Sequence, residues 1–225
     1  MLLLCGCKSP KFNYPQPSSK IIDTGPTIQV MAIVDNRTNR AMDKVLEKGY
    51  LLDVQRAMAD ELQSMNLFSA VIVTTNSAES TPSDYKLTSR LKRLEWEIPH
   101  YGTLETEAFT IGLLTGVVGG SIFAATGIDV FGYSVVTVRV EKTSDSQVLF
   151  DSEYSASVTN HLKKAVCDTP TTKASMMVQA FQRSMMSVKA DLQQKMPASF
   201  TRPSAPDSSV SSRTDTNSAL TIPEK

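Results

Sequence analysis

From Ala108 to Ile128 the chain reads AFTIGLLTGVVGGSIFAATGI, without one charged side chain. A helix of about 20 such residues spans the hydrocarbon core of a bilayer. Within the run Gly112, Gly116, Gly120 and Ala124 recur at every fourth position. On a helix that spacing stacks them into one smooth stripe, against which a second backbone can approach closely. Glycine inside a water-exposed helix costs about 1 kcal/mol relative to alanine, so a solvated helix is a poor use of the segment. Two readings remain: a membrane or oligomer contact through the stripe, or a buried glycine-rich connector.

A single crossing meets a topological objection, because strands before and after the run would then lie on opposite sides of the bilayer and could not share a sheet. A helical hairpin turning at Gly119 and Gly120 keeps them together. Each arm of about ten residues then rises only about 15 Å, roughly half the hydrocarbon core. Dipping into one leaflet and packing against other subunits both remain open.

The rest of the chain is readable by periodicity. Ile28 to Val34 is an apolar run with little polar relief, expected as a strand buried on both faces. Leu51, Val54, Met58, Leu62 and Met65 share one helical face, with Asn66 as a stop, and Phe68 to Val73 follows as a short buried strand. Tyr85, Leu87, Ser89 and Leu91 alternate with polar residues, and the phase then shifts by one to Leu94, Trp96 and Ile98. Such a slip predicts a β-bulge. Tyr133 opens a strand carrying Val136, Val138 and Val140, the segment Thr143 to Ser146 turns, and Val148 to Val158 returns as its hairpin partner. Asn160 to Thr172 is expected as a loop. Thr172 is expected to cap a helix from Lys173 to about Lys195, with Met177, Phe181, Met185, Val188 and Leu192 as its buried stripe. The order β-α-β-β-insert-β-β-α predicts an α+β fold: one mainly antiparallel sheet with two helices on one face.

The ends read differently. Leu4-Cys5-Gly6-Cys7 resembles the bacterial lipobox, in which signal peptidase cuts before a cysteine that is then diacylated. Cys7 fits that role because Gly6 before it is small, whereas bulky Leu4 precedes Cys5. A secretory signal needs a basic start and an apolar stretch of about 7–15 residues. Only Leu2 to Leu4 stand here, as expected of a late start codon or a trimmed chain. Lys8 and Ser9 are not the aspartate that resembles an inner-membrane retention signal, so the resemblance implies the outer membrane. Residues 1–7 are then a shortened signal and Lys8 to Pro26, with several prolines, a tether. The domain covers 27–196 with the insert at 108–128. The remainder, 197–225, is rich in Ser, Thr and Pro and is expected to be a disordered tail.

The phrase LQSMNLFSAVIV leading to SDYKLTSRLKRLEW resembles a group of envelope lipoproteins: the ABC-transport auxiliary, YajG-like and CsgG-like families. There a helix ends at a "gxF..V" strand and a loop leads to an "aDY.L" strand; Phe68, Val71, Asp84, Tyr85 and Leu87 match that phrase. The glycine-rich insert is also similar to that of the surface-exclusion lipoprotein TraT. These resemblances imply a non-enzymatic outer-membrane lipoprotein whose domain faces the periplasm. It would assemble with itself or serve as an accessory of an envelope transport or secretion complex. A periplasmic carrier of a small ligand or lipid is the alternative.

The chemistry of an enzyme is not legible in the chain. Lys and Arg balance Asp and Glu at a formal net charge of zero, so no strong field points to nucleic acid. No phosphate loop or nucleophile elbow occurs, and no metal or cofactor is expected. Cys167 with His161 is the one imaginable nucleophile and base, yet a lone loop cysteine is more often inert. Glu95/Glu97 and Glu105/Glu107 read as a solvated border of the insert. Lys86, Arg90, Lys92 and Arg93 form a basic cluster that suits either anionic headgroups or a solvated sheet face.

Overall fold

In a computed structural model the chain is described over residues 9–17, 25–75, 81–98 and 127–196. Its strands are β1 (Thr27–Val30), β2 (Val34–Asp35), β3 (Ala70–Val73), β4 (Tyr85–Glu97), β5 (Gly127–Lys142) and β6 (Val148–Lys163). The helices are α1 (Tyr50–Ser64), the single turn α2 (Lys164–Cys167) and α3 (Pro170–Lys195), with a 3-10 turn at Ala41–Lys44. The strands form one sheet in the order β3-β1-β4-β5-β6, with β2 also on β4. The fold is α+β, as expected, and the sheet is mixed. Its two long ladders, β4 with β5 and β5 with β6, are antiparallel; β1 runs parallel to β3 and β4, and β2 parallel to β4.

The apolar run after Thr27 is not one strand. It leaves the ladder after Val30 and rejoins β4 at Val34, opposite Arg90. Met31 N and Asn36 N still donate to the Leu87 and Leu91 carbonyls, so the backbone keeps to β4 through the break. Ile28 and Val30 are wholly buried, and α1 returns the chain so that β3 pairs with β1. Gly49, just before α1, has φ +90°, a conformation that side chains with a Cβ rarely adopt. Just past the C-cap Met65, Asn66 stands at φ 54°, the left-handed geometry that asparagine tolerates.

The expected phase slip in β4 is a bulge: the register with β5 jumps between Leu91 and Arg93. It keeps Leu87, Leu91 and Leu94 all on the helix-covered face, where each is at most 1% exposed. The hairpin is longer than its valine alternation suggests. β5 begins at Gly127, not Tyr133, because Ile128 finds Leu162 and Gly127 finds Lys163 across the ladder. The strand therefore takes the last two residues of the uncharged run, and β6 takes Asn160 to Lys163 out of the expected loop. α3 likewise starts earlier. Thr169 is its cap, accepting from Thr172 N at 3.2 Å, and Pro170 occupies the first turn, where a missing N–H costs nothing.

The stripe of Met177, Phe181, Met185, Val188 and Leu192 is fully buried. Each such side chain contributes about 1.5–3 kcal/mol when taken out of water. α3 crosses β5 closely at Gly132, where a Cβ would stand 2.8 Å from the Met176 carbonyl carbon and nearer still to its oxygen. The main core lies between the sheet and the helices. A smaller cluster of Ile98, Val130, Val158, Cys167, Met176 and Ala180 closes the end of the sheet where β4 stops.

Candidate functional site

Cys7, Gly112, Gly116, Gly120 and Ala124 lie outside the described residues, as does the expected tail, 197–225. What the structure does place is the point at which their segments meet the folded body. β4 and β5 are antiparallel neighbours, with Glu97 opposite Phe131. The chain therefore leaves after Ile98 and returns at Gly127 at one end of the sheet, which agrees with the objection to a single crossing. Among the described residues no helix is long and apolar enough to cross a membrane.

The course of α3 gives the level of each contact along the sheet. Met176 lies against Gly132, opposite Trp96, and Ser184 Oγ donates to the Ser134 carbonyl, opposite Leu94, at 3.5 Å. Further along, the Tyr154 hydroxyl donates to Asp191 at 3.0 Å, and Lys195 Nζ lies 5.4 Å from the centre of the Phe150 ring. α3 thus runs from the Ile98 end to the end where the β5–β6 hairpin turns. α1 runs the same way, since Glu61 and Ser64 in its last turn both bond Lys189 Nζ, at 2.8 and 3.0 Å. The loop before α1 sits beside β4 near the insert end, where Asn39 donates to Glu95 at 3.2 Å.

Against these helices the N-terminal strip is docked, not free. Glu47 N donates to the Pro10 carbonyl at 3.1 Å, just ahead of α1. Phe12 is 3% exposed and meets Phe181 edge-on at 5.8 Å, and the Tyr14 hydroxyl donates to Glu61 at 2.8 Å. Burial and then the bond to Glu61 push the Tyr14 phenol well above its ordinary range. The strip therefore descends from the start of α1 towards its end, and Pro10 is its upper end. The residue proposed for lipidation stands three positions before Pro10, so its segment reaches the body on the same side as the insert. Composition alone gave Phe12 and Tyr14 no role, because two aromatics among prolines show no period. The spacing of one residue between them is the only signal available.

The other candidates resolve into structural roles. Cys167 is buried in the small apolar cluster on the inner face of the sheet. His161 is on the outer face, its Nδ1 2.9 Å from Asp129, so the imagined nucleophile and base are not brought together there. The basic cluster is interleaved with acids: Lys92 pairs with Glu153, and Arg93 pairs with Glu95 while lying 4.1 Å over the Tyr133 ring. Arg37, unnoticed in the sequence, is the most buried charge in this region, with its side chain 1% exposed. It forks onto both oxygens of Asp35 at 2.8 and 2.9 Å and reaches Asp43 at 2.9 Å, fixing the loop that leads into α1. The Arg37 hydrogen bond holds the Asp35 carboxyl below its usual range, against the effect of burial. Among the described residues, no group of three His, Cys, Asp or Glu side chains could hold a metal ion.

No family model matches this chain, and no curated protein matches it in sequence. Solved structures similar in shape do exist. A Helicobacter pylori protein described as a homologue of the neuraminyllactose-binding haemagglutinin is 11% identical, with 82% of this chain and 92% of that one covered and a TM-score of 0.49. Lipoprotein GNA1162 from Neisseria meningitidis is 10% identical over 75% and 96% of the chains, at 0.35. A PelC dodecamer from Paraburkholderia phytofirmans is 14% identical over 76% and 95%, at 0.36.

Proposed function

We propose that this chain is a non-enzymatic lipoprotein of the outer membrane, anchored by lipid on Cys7. On this reading it assembles with itself or as an accessory of an envelope transport or secretion complex. The observation that carries the reading is the shared exit. The N-terminal strip and the two strands flanking the uncharged run reach the folded body at the same end. A lipid on Cys7 and the apolar insert at 108–128 would then address one membrane surface together. Two weak anchors acting at one end gain by effective concentration, and stable lipid anchoring takes more than one chain or signal. The lipobox-like Gly6-Cys7 and the docked residues from Pro10 onward support the same arrangement, since the tether upstream of Pro10 is short.

The test restores a full secretory signal and measures the mature N-terminus by mass. An acylated Cys7 is expected, and Cys7→Ser should move the protein to the soluble periplasmic fraction. A mature protein without acyl mass, whose fractionation ignores Cys7→Ser, refutes the lipoprotein reading.

A further inference from the structure

β6 is an edge strand of 16 residues, whereas β3 at the opposite edge has 4. Among the described residues it pairs with β5 alone. Long edges offer unpaired N–H and C=O groups to another chain, and proteins blunt them with lysine, proline or a cover. From Val148 to His161 this edge has neither lysine nor proline, and Tyr154 to Asn160 is uncharged. Arg183 reaches it from the helix side, its Nη1 donating to the Ser157 carbonyl at 2.9 Å. That bond shows that the Ser157 carbonyl points away from β5. In an antiparallel ladder alternate residues share that direction, so Asp151, Glu153, Ser155, Thr159 and His161 also turn their backbone groups outward, and Lys163 follows at the strand end. All of these residues are exposed.

We propose that β6 pairs antiparallel with β6 of a second copy of this chain, about a two-fold axis at Ser157. The charges on the strand select that register. Residues equidistant from Ser157 meet across the axis: Asp151 faces Lys163 of the other copy, Glu153 faces His161, and Ser155 faces Thr159. Both acids thus oppose both basic side chains, twice over by symmetry. Moving the axis by one residue leaves a single acid–base pairing in each half, Asp151 with His161 about Ala156 or Glu153 with Lys163 about Val158. Odd shifts in pairing would set exposed side chains beside buried ones. Opposite charges directly across a ladder stabilise it, and like charges destabilise it. A two-fold contact is self-complementary in this sense. Glu153 already pairs with Lys92, and His161 Nδ1 lies 2.9 Å from Asp129, so pairing would link two existing side-chain contacts across the axis. Arg183 opposes association, since it occupies the Ser157 carbonyl and would bring two like charges to the axis.

This inference rests on the self-assembly part of the proposed function and names its surface. The test is sedimentation of the full chain in detergent over a range of concentrations, with the melting temperature measured alongside. Wild type should dimerise. Asp151→Lys and Lys163→Asp should each weaken the dimer about tenfold, and the double swap Asp151→Lys/Lys163→Asp should restore it. Ser157→Pro, at a position whose N–H faces away from β5, should abolish the dimer and keep the fold. Arg183→Ala should tighten it. A wild type monomeric at every concentration overturns both self-assembly and this interface. An oligomer that ignores Ser157→Pro, or that the swap does not restore, overturns the interface alone.

Discussion

Truncating Phe12 to alanine tests whether the N-terminal strip is part of the fold or a passive tether. Phe12 is buried against Phe181 and Tyr14, with ring centres 5.8 and 6.4 Å away. Removing a buried phenylalanine ring typically costs about 3–5 kcal/mol in lost transfer energy plus cavity. The strip can also let go, so the loss is capped at its docking free energy, and the low end, about 3 kcal/mol, is expected. For a chain of this size about 2–4 °C of melting temperature goes with each kcal/mol, giving a fall of about 6–12 °C. Tyr14→Phe removes only the hydroxyl bond to Glu61 and leaves Lys189 on that carboxylate. A hydrogen bond to a charged group contributes about 1.5–3 kcal/mol. The double variant should cost less than the sum, because once the strip has released, the second change removes nothing more. Urea unfolding gives the free energies, and limited proteolysis upstream of Thr27 reports the release. A Phe12→Ala protein within about 0.5 kcal/mol of wild type, with unchanged cleavage, would refute docking.

Gly132→Ala should destabilise by about 1–3 kcal/mol, because its Cβ meets the Met176 backbone and not a flexible side-chain tip; calorimetry checks it. Asp35 and Asp191 have lowered carboxyl pKa values, the first through its bond from Arg37 and the second through Lys195 and then Tyr154. The stability they contribute is present above the ordinary range near pH 4 and is lost as pH falls through the folded values, so Asp35→Asn should flatten the acid limb of a stability–pH curve. Burial, then the bond to Asp191, pushes the Tyr154 phenol up to about 12. Its contribution should hold below about pH 10 and vanish as pH rises towards 12, and Tyr154→Phe should make alkaline unfolding shallower. Gly116→Leu separates the two readings of the insert. Loss of oligomer or membrane insertion at constant melting temperature marks a contact stripe, and lowered stability in a protein that was already monomeric marks a buried connector.

Sequence by itself determined what depends on near neighbours. A buried stripe from Met177 to Leu192 follows from helical spacing, and the bulge after Leu91 follows from one slipped alternation, because both patterns are set by which face a side chain must hide. The lipobox-like Gly6-Cys7 and the four-residue glycine spacing are also local arrangements of residue types, but both lie outside the described residues and stand as proposals. Tertiary structure decided what depends on distant partners. β5 reaches back to Gly127 only because Leu162 and Lys163 lie opposite, and Phe12 enters the core only because Phe181 and α1 leave it a slot. Arg37 becomes a buried brace only where Asp35 and Asp43 converge on it. The common end reached by the strip and by β4 and β5, and the edge position of β6 among the described strands, belong to the same class. Strand order and helix direction set them through pairings far apart in the chain, and no window of a few residues contains that information.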